Sequence, residues 1–431
     1  MNGEQVQHIV VVGAGAAGLM AARELARAGR RVTILEAQDR CGGRILPLSA
    51  EEFGYAAEGG AEFIHGEAPV THGLLREAGL SILPMKGARW RIDEGRLAQN
   101  DLPQPEVGRL QDCLSQLKAD MTVTAFLKQY FAGPEYSGLR QFFVRMVEGY
   151  DAADPDRASI MAIRDEWMSS GRSKSSRIVG GYAALIRFLE AECMRLGVTI
   201  HLRAIVTAVE TIDRRTAVRC ADGDTHIGGV AILTVPLALL SQLVLSPSVR
   251  EMAANVSEIG FGNVIKLLLR FKSRWWINGR GEDLSDLLFL RSSGTVPVWW
   301  TQHPAEHPVL TGWLAGPRSK RMAYLEEKEL VKAGVISLAD AFGLSPEQVA
   351  GELVAARAID WSRDPFARGA YSYATPETRL LRSTLKTVGA DPVLFSGEAF
   401  YPGADMGTVE AALASGRDTA RTALTGNRAE T

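Results

Sequence analysis

Apolar residues gather at the start of the chain in two short β-branched runs, HIVVV from residue 8 and VTIL from residue 32. Between them, AGLMAARELARAG carries its apolar positions at helical spacing. Runs that are apolar throughout, rather than alternating, suit strands covered on both faces, so residues 8 to 40 predict a strand–helix–strand unit with parallel strands. From about residue 104 to 170 the pattern turns helical, in LQDCLSQLKAD, VTAFLKQYF and LRQFFVRMVEGY. A Gly-Gly start then opens the helix of VGGYAALIRFLEAECMRLG, followed by strand-like VTIHLRAIVTAVETI and VAILTVP. Residues 257 to 315 read as strands that contain two Trp-Trp pairs, and a helix is expected at 322 to 342. The chain ends by returning to a strand, PVLFSGEA, and an Ala-rich helix.

The α/β character therefore comes in separated pieces. The fold class expected is α/β: a doubly wound dinucleotide-binding domain assembled from the discontinuous segments 1–66, 174–240 and 378–431, with an α+β substrate-binding domain from 67–173 and 241–377. The 431 residues suffice for two such domains. Lys and Arg number 48 against 50 Asp and Glu, with no basic run, so no footprint for nucleic acid or an anionic membrane is expected. Cys41, Cys113, Cys193 and Cys220 are scattered, which argues against a disulfide framework or a zinc site and fits a reducing compartment. No metal is expected. MNGEQVQ lacks the basic and apolar regions of a leader, and VAILTVPLALLSQLVL is broken by Pro236, Ser241 and Gln242. The expectation is a cytoplasmic protein whose oligomeric state the sequence leaves open.

The first chemistry-bearing motif is Gly13, Gly15 and Gly18 in VVGAGAAG, directly after a strand and at the start of a helix. The first glycine permits a tight turn, the second lets the backbone approach a pyrophosphate, and the third lets helix and strand pack closely. Glu36 closes the second strand, where a carboxylate binds ribose hydroxyls, favouring FAD or NAD over NADP. The continuation CGGR adds a second close approach at Gly42 and Gly43 and a fixed cation at Arg44. A longer cofactor running across the domain uses that second feature, so FAD is favoured.

Taken together, VVGAGAAG, CGGR, EGGAEFIHG, VGGYAALI, AILTVP, GFGNVIKLLLRF, WSRDPFARGAYSY and GEAFYPGADMGTVEAALASG resemble, in order and spacing, the flavin-containing amine oxidase family. The resemblance covers nearly the whole chain. It implies that Gly60, Ala61, Glu62 and Phe63 line the flavin, that Val206 meets the adenine end, and that Trp361 stands near the ring. It implies that Gly397 and Glu398 meet the ribityl and pyrophosphate region, and that Tyr371 stands against the flavin and orients the amine. Lys266 matches a lysine that holds a water near flavin N5. Covalent-flavin relatives carry a cysteine where this chain has Ala370, so the FAD is expected to be non-covalent. Thr408 falls where the second aromatic of a monoamine cage would stand, and the helix start at Thr408 and Val409 would face the N1–C2 side of the ring, where a helix N-terminus stabilises negative charge.

The implied reaction moves a hydride equivalent from an amine-bearing carbon to the flavin, with O2 or another acceptor taking the electrons on. Lys266 and Tyr371 are the expected catalytic residues, with His65, Thr408, Tyr373 and Trp300 as substrate contacts. Bland readings stand beside these. Period two puts Lys266 on one side with Arg270 and Lys272, as on a solvated face. His65 can serve a loop hydrogen bond, Glu62 can attract the amine or line the flavin, and Trp299 and Trp300 can be core. A carotenoid-type desaturase and a flavoprotein that mainly binds a partner are the rival functions; FIHG, Lys266 and GAYSY argue against the first.

Overall fold

The computed structural model describes residues 8–93, 95–99, 104–168, 175–378 and 392–425. The heptad read for a leader and the expected boundary at 173/174 lie outside the described residues. In chain order, the elements that build the site are β1 (His8–Val12), α1 (Ala16–Arg27), β2 (Arg31–Leu35), β3 (Ala88–Asp93), α2 (Ser137–Tyr150), α3 (Ile160–Met168) and α4 (Tyr182–Arg195). They continue with β4 (Thr199–His201), β5 (Val230–Leu233), β6 (Val264–Phe271), β7 (Leu287–Ser292), β8 (Val298–Trp300) and β9 (Val309–Ala315). The last are β10 (Leu353–Asp360), β11 (Tyr371–Tyr373), β12 (Val393–Phe395) and α5 (Val409–Thr425).

β1, β2, β4, β5 and β12 form one parallel sheet in the order β12-β5-β1-β2-β4. The buried runs of β1, β2 and β5 are almost all apolar because both faces of the sheet are covered. Ile9, Val11, Val32, Ile34 and Ile232 pack under α1, α4 and α5. Val10, Val12, Leu35, Ala231 and Leu233 face the other way, onto a four-stranded sheet built from residues 206–245. The long apolar run ends its strand at Leu233, and Pro236 caps the short helix Leu237–Leu240. Among the described residues no helix is long and apolar enough to cross a membrane.

Two segments lie past the expected boundaries at 66 and 240 yet pack with this first unit. Val244–Leu245 joins the four-stranded sheet. The helix Pro69–Ala78 buries Leu74 and Leu75 in the core of the parallel sheet. It is tied there by Glu410 of α5, which accepts from the backbone N–H groups of Val70 and Thr71 and from the Thr71 hydroxyl, at 3.0, 2.8 and 2.7 Å. A buried carboxylate thus satisfies the orphan donors of one helix from the side of another.

The second unit is a seven-stranded sheet in the order β10-β6-β9-β8-β7-β3, closed by Arg96–Gln99. One face packs Leu267, Leu269, Leu290 and Trp299 against the helix Glu327–Phe342. The opposite face looks into a cavity. The first Trp pair is not in a strand: Trp275 and Trp276 open a short 3-10 helix, where Trp276 is buried in the same core. The second pair is split by strand alternation, with Trp299 in the core and Trp300 on the cavity side. The helices of residues 104–168 have their own core, around Phe126, Phe131 and Phe143, and close the cavity from above the sheet.

Candidate active site

One cavity of ≈ 1750 Å³ is lined by both units. That is more than the ~300–1,000 Å³ of a small-ligand pocket, and leaves room for a dinucleotide and a substrate together. At one end, Gly15 caps the N-terminus of α1 immediately after β1. A Cβ on Gly18 would lie 2.0 Å from the Gly13 carbonyl oxygen, so only glycine lets the helix sit this close to its own turn. The Glu36 carboxylate accepts from the N–H of Ala14 at 2.6 Å and of Gln38 at 2.8 Å. Burial nevertheless pushes its carboxyl above the ordinary range. Ala204 donates its N–H to the Glu36 carbonyl, which brings Val206 to this end of the cavity.

In the middle, Arg44 and Glu398 meet as an ion pair at 2.8 Å. Arg44 also donates to the Ala370 carbonyl at 2.5 Å, and Glu398 accepts from the hydroxyl of Ser372. The cation and the anion expected to serve the cofactor therefore also fix each other, across 354 residues of sequence. A Cβ on Gly60 would fall 1.8 Å from the Arg44 carbonyl oxygen and 3.2 Å from the Trp361 ring. Trp361 in turn donates its indole N–H to Gly59 at 3.2 Å.

At the other end, Lys266 is 1% exposed. Its alternative as a solvated cation is corrected by the fold. The side of β6 that carries Lys266 and Arg270 is covered by residues 50–62, and Arg270 donates to the carbonyls of Glu51 and Glu52. Lys266 Nζ donates to Glu62 at 2.8 Å and to the Gly60 carbonyl at 3.1 Å. Glu62 is further held by Arg177 at 2.9 Å, Gln302 at 3.1 Å and the Trp300 indole N–H at 3.1 Å. Burial alone would raise this carboxyl, but Lys266 and Arg177 outweigh it and bring it down to about 2. Its acceptor capacity is spent on protein donors, so Glu62 sets the field at Lys266 rather than receiving an amine.

Next to this pair, Glu58 accepts the Tyr182 N–H at 2.6 Å and is pushed up to about 8, by burial first and then by the charge of Glu62. A carboxyl whose folded value is raised contributes stability below its unfolded value, near 4.5, and that contribution is lost as pH rises through about 8. Thermal melts between about pH 5 and pH 9 should therefore show the wild type losing a few kcal/mol that Glu58→Gln does not lose. Parallel pH profiles for the two proteins would remove Glu58 as the source.

The remaining expected residues separate into two groups. Tyr371 lines the cavity, donates its hydroxyl to the Tyr150 carbonyl at 2.8 Å, and has its phenol pushed well above the ordinary range by burial, then by Asp151, Tyr150 and Glu166. His65 lines the cavity with Nδ1 3.0 Å from the Ser175 hydroxyl and its ring 5.5 Å from that of Tyr150. Phe63 stands edge-on to Trp300 at 5.4 Å. Tyr373 and Thr408 also line the cavity. Tyr373 reaches the cavity but is buried in the core of the helical layer. The Thr408 hydroxyl donates to the Asp405 carbonyl and accepts from the Ala411 N–H, which caps α5.

The sequence of residues 16–424 matches the model of a family described as flavin-containing amine oxidoreductase. The chain belongs to the flavin-containing amine oxidoreductase family. The protein is accordingly an oxidoreductase acting on CH–NH groups, with FAD as its cofactor. Among curated relatives, a probable polyamine oxidase 4 of Arabidopsis thaliana is 26% identical, the alignment covering 91% of this chain and 82% of the relative. Lysine-specific histone demethylase 2 of Homo sapiens is 25% identical over 85% of this chain but only 47% of its own length. A putrescine oxidase solved with putrescine bound superposes with a TM-score of 0.80 at 20% identity, covering 97% of this chain and 99% of that one. Cyclohexylamine oxidase from Brevibacterium oxydans IH-35A covers 98% and 99%.

The residues of this amine oxidoreductase fit FAD on their own geometry. Gly15 has open space where a Cβ would point, at the N-terminus of α1, as a pyrophosphate needs. Gly43, Arg44, Gly397 and Glu398 continue the same wall, and Gly407, Thr408 and Val409 bring the N-terminus of α5 to it. Sequence reasoning missed Arg177, Gln302, Tyr150 and Trp313. Trp313 was not within reach, because only strand register places it directly opposite Lys266. Nor was Arg177, since nothing local ties it to a glutamate 115 residues away. Among the described residues no group of His, Cys, Asp and Glu is placed to hold a metal ion.

Proposed function

We propose that this protein oxidises an amine at the carbon bearing the nitrogen, releasing an imine that water hydrolyses to a carbonyl compound. FAD held along Gly15, Glu36, Arg44 and Glu398 would supply the hydride acceptor, with O2 or another acceptor as the final electron sink. The observation that carries the reading is the continuity of one cavity, from the glycine turn at Gly13 to an aromatic chamber around the buried Lys266. In that chamber Trp361, Tyr371, Trp313 and Trp300 exclude water, and Tyr371, fixed through Tyr150, gives the amine a rigid surface. Lys266, held by Glu62 and the Gly60 carbonyl, keeps a positive charge at a fixed point beside the reacting atoms. Ala370, in place of the cysteine of covalent-flavin relatives, supports a non-covalent cofactor.

The purified protein should be yellow, and acid precipitation should release the flavin into the supernatant. Anaerobic addition of primary amines, diamines and polyamines should bleach the visible flavin band with at least one of them. Bleaching by none would sink the amine reading while leaving FAD binding intact.

A further inference from the structure

The segment that holds Lys266 carries a second buried acid, to which amine oxidation as described above gives no task. Glu58 stands shortly before Gly60 and Glu62, the two residues that bind the Lys266 ammonium. It is 6% exposed, against 7% for Glu62. The fold nevertheless treats the two acids differently. Glu62 accepts from Lys266, Arg177, Gln302 and Trp300. The Glu58 carboxyl accepts from the Tyr182 N–H at 2.6 Å, and among the described residues no cation pairs with it. Tyr182 is the first residue of α4, and Gly181 before it has φ +75°. A Cβ on Gly181 would lie 3.1 Å from the Glu58 carboxyl, so glycine lets the acid reach the helix N-terminus. Orphan N–H groups there favour an anion, whereas burial favours the neutral acid.

A charge count shows what the two states of Glu58 do. Lys266 and Arg177 bring two cations to the anion of Glu62, an excess of one positive charge in a buried cluster. With Glu58 neutral the excess remains. With Glu58 ionised the four groups are neutral together. The charges of Glu62, Lys266 and Arg177 are all felt at Glu58, so the charge of Glu58 is felt at Lys266 in turn. The other ionisable groups facing Glu58 are Tyr55 on its own segment and Tyr182 on α4. Burial pushes both phenols up, well beyond Glu58. His307, stacked on Tyr55 at 4.6 Å, is pushed below its ordinary value by burial. Glu58 is therefore the member of this group whose charge changes just above neutral pH, at about 8.

We infer that Glu58 is a positioning residue that acts through Lys266: holding a proton, it preserves the excess positive charge of the cluster, and losing it, it weakens the field that Lys266 exerts on the reacting atoms. The inference rests on the reading of Lys266 given above. Its sign follows from the acid. Below about pH 8 Glu58 is neutral and the field is full; as pH rises through that value the carboxylate forms and the field falls. The step that needs positive charge, transfer of electrons from the reduced protein to O2 or another acceptor, slows accordingly.

Stopped-flow reoxidation of the anaerobically reduced holoprotein by O2, from about pH 6 to about pH 10, tests this in the wild type, Glu58→Gln and Lys266→Met. Glutamine keeps an acceptor for the Tyr182 N–H and cannot ionise. The wild-type rate should fall about tenfold through pH ~8, while Glu58→Gln holds its lower-pH rate across that range. Lys266→Met should be slow and lack the step, since Glu58 acts through the lysine. No step in the wild type, or the same step in Glu58→Gln, overturns the inference; a slow Lys266→Met then leaves the Lys266 reading standing. Lys266→Met reoxidising like the wild type overturns both. Infrared spectra of the resting holoprotein supply a readout apart from turnover. The wild type should show a protonated-carboxyl C=O band at about pH 6 that is lost by about pH 10, and Glu58→Gln should lack that band. A wild-type spectrum without this change overturns the inference whether or not the variant folds.

Discussion

Lys266→Met is expected to slow reoxidation of the reduced protein roughly 100-fold while leaving FAD bound. Methionine is unbranched and of similar length, so it fills the same buried channel and removes little but the charge. Glu62 keeps Arg177, Trp300 and Gln302 as donors, so its carboxylate stays in place. The residues that fit the dinucleotide, from Gly13 to Glu36 and the Arg44–Glu398 pair, are untouched. What disappears is a fixed positive charge in a dry site, where it acts on the negative charge that builds up as electrons pass to O2 or another acceptor. Stopped-flow mixing of the anaerobically reduced protein with oxygenated buffer, or with an artificial acceptor, reads the rate directly. A variant that reoxidises at the wild-type rate removes Lys266 from the chemistry and leaves it a structural partner of Glu62.

How much of this was legible in the sequence depended on how local the signal was. The glycine turn, Glu36 and the strand–helix–strand unit follow from contiguous residues, and the parallel sheet was readable because the buried positions of β1, β2 and β5 are almost all apolar. Lys266 was ambiguous, because period two describes a strand face without saying what covers it. The cover comes from residues 50–62, far away in sequence, and only the fold turns a solvated-looking cation into a buried one. The Trp-Trp pairs show the same limit. Alternation separates Trp299 from Trp300 once β8 is known to be a strand, but nothing in the pair at 275 and 276 announced a 3-10 turn. Thr408 is legible as a helix start from sequence, and its hydroxyl caps that helix.

Glu62→Ala should have the largest effect on stability of any single change at the site. It leaves the Lys266 ammonium and the Arg177 guanidinium buried without their shared anion, the situation in which breaking a buried pair costs about 3–5 kcal/mol. Arg177 retains the carbonyls of Thr301 at 2.9 Å and His303 at 3.3 Å, so Lys266 is the more exposed to the loss. Pairing Glu62→Ala with Lys266→Met removes the stranded charge, and the double variant should recover part of the lost stability, giving a coupling energy on the order of 1–3 kcal/mol. The pH dependence has a definite sign. Glu62 is held at about 2, below its ordinary value of 4.5, so its contribution is fully present above 4.5 and is lost as pH falls toward 2. Measured in a Glu58→Gln background, so that the titration coupled to Glu62 is removed, the stability gap caused by Glu62→Ala should be flat from about pH 5 to pH 7 and shrink in acid. Denaturant melts of the wild type, both single variants and the double variant, each with and without Glu58→Gln, measure all of these quantities together. A gap that stays constant into acid, or a double variant as unstable as the sum of its parts, would show that Glu62 acts through packing rather than through its charge. Lys266 would then owe its position to β6 alone.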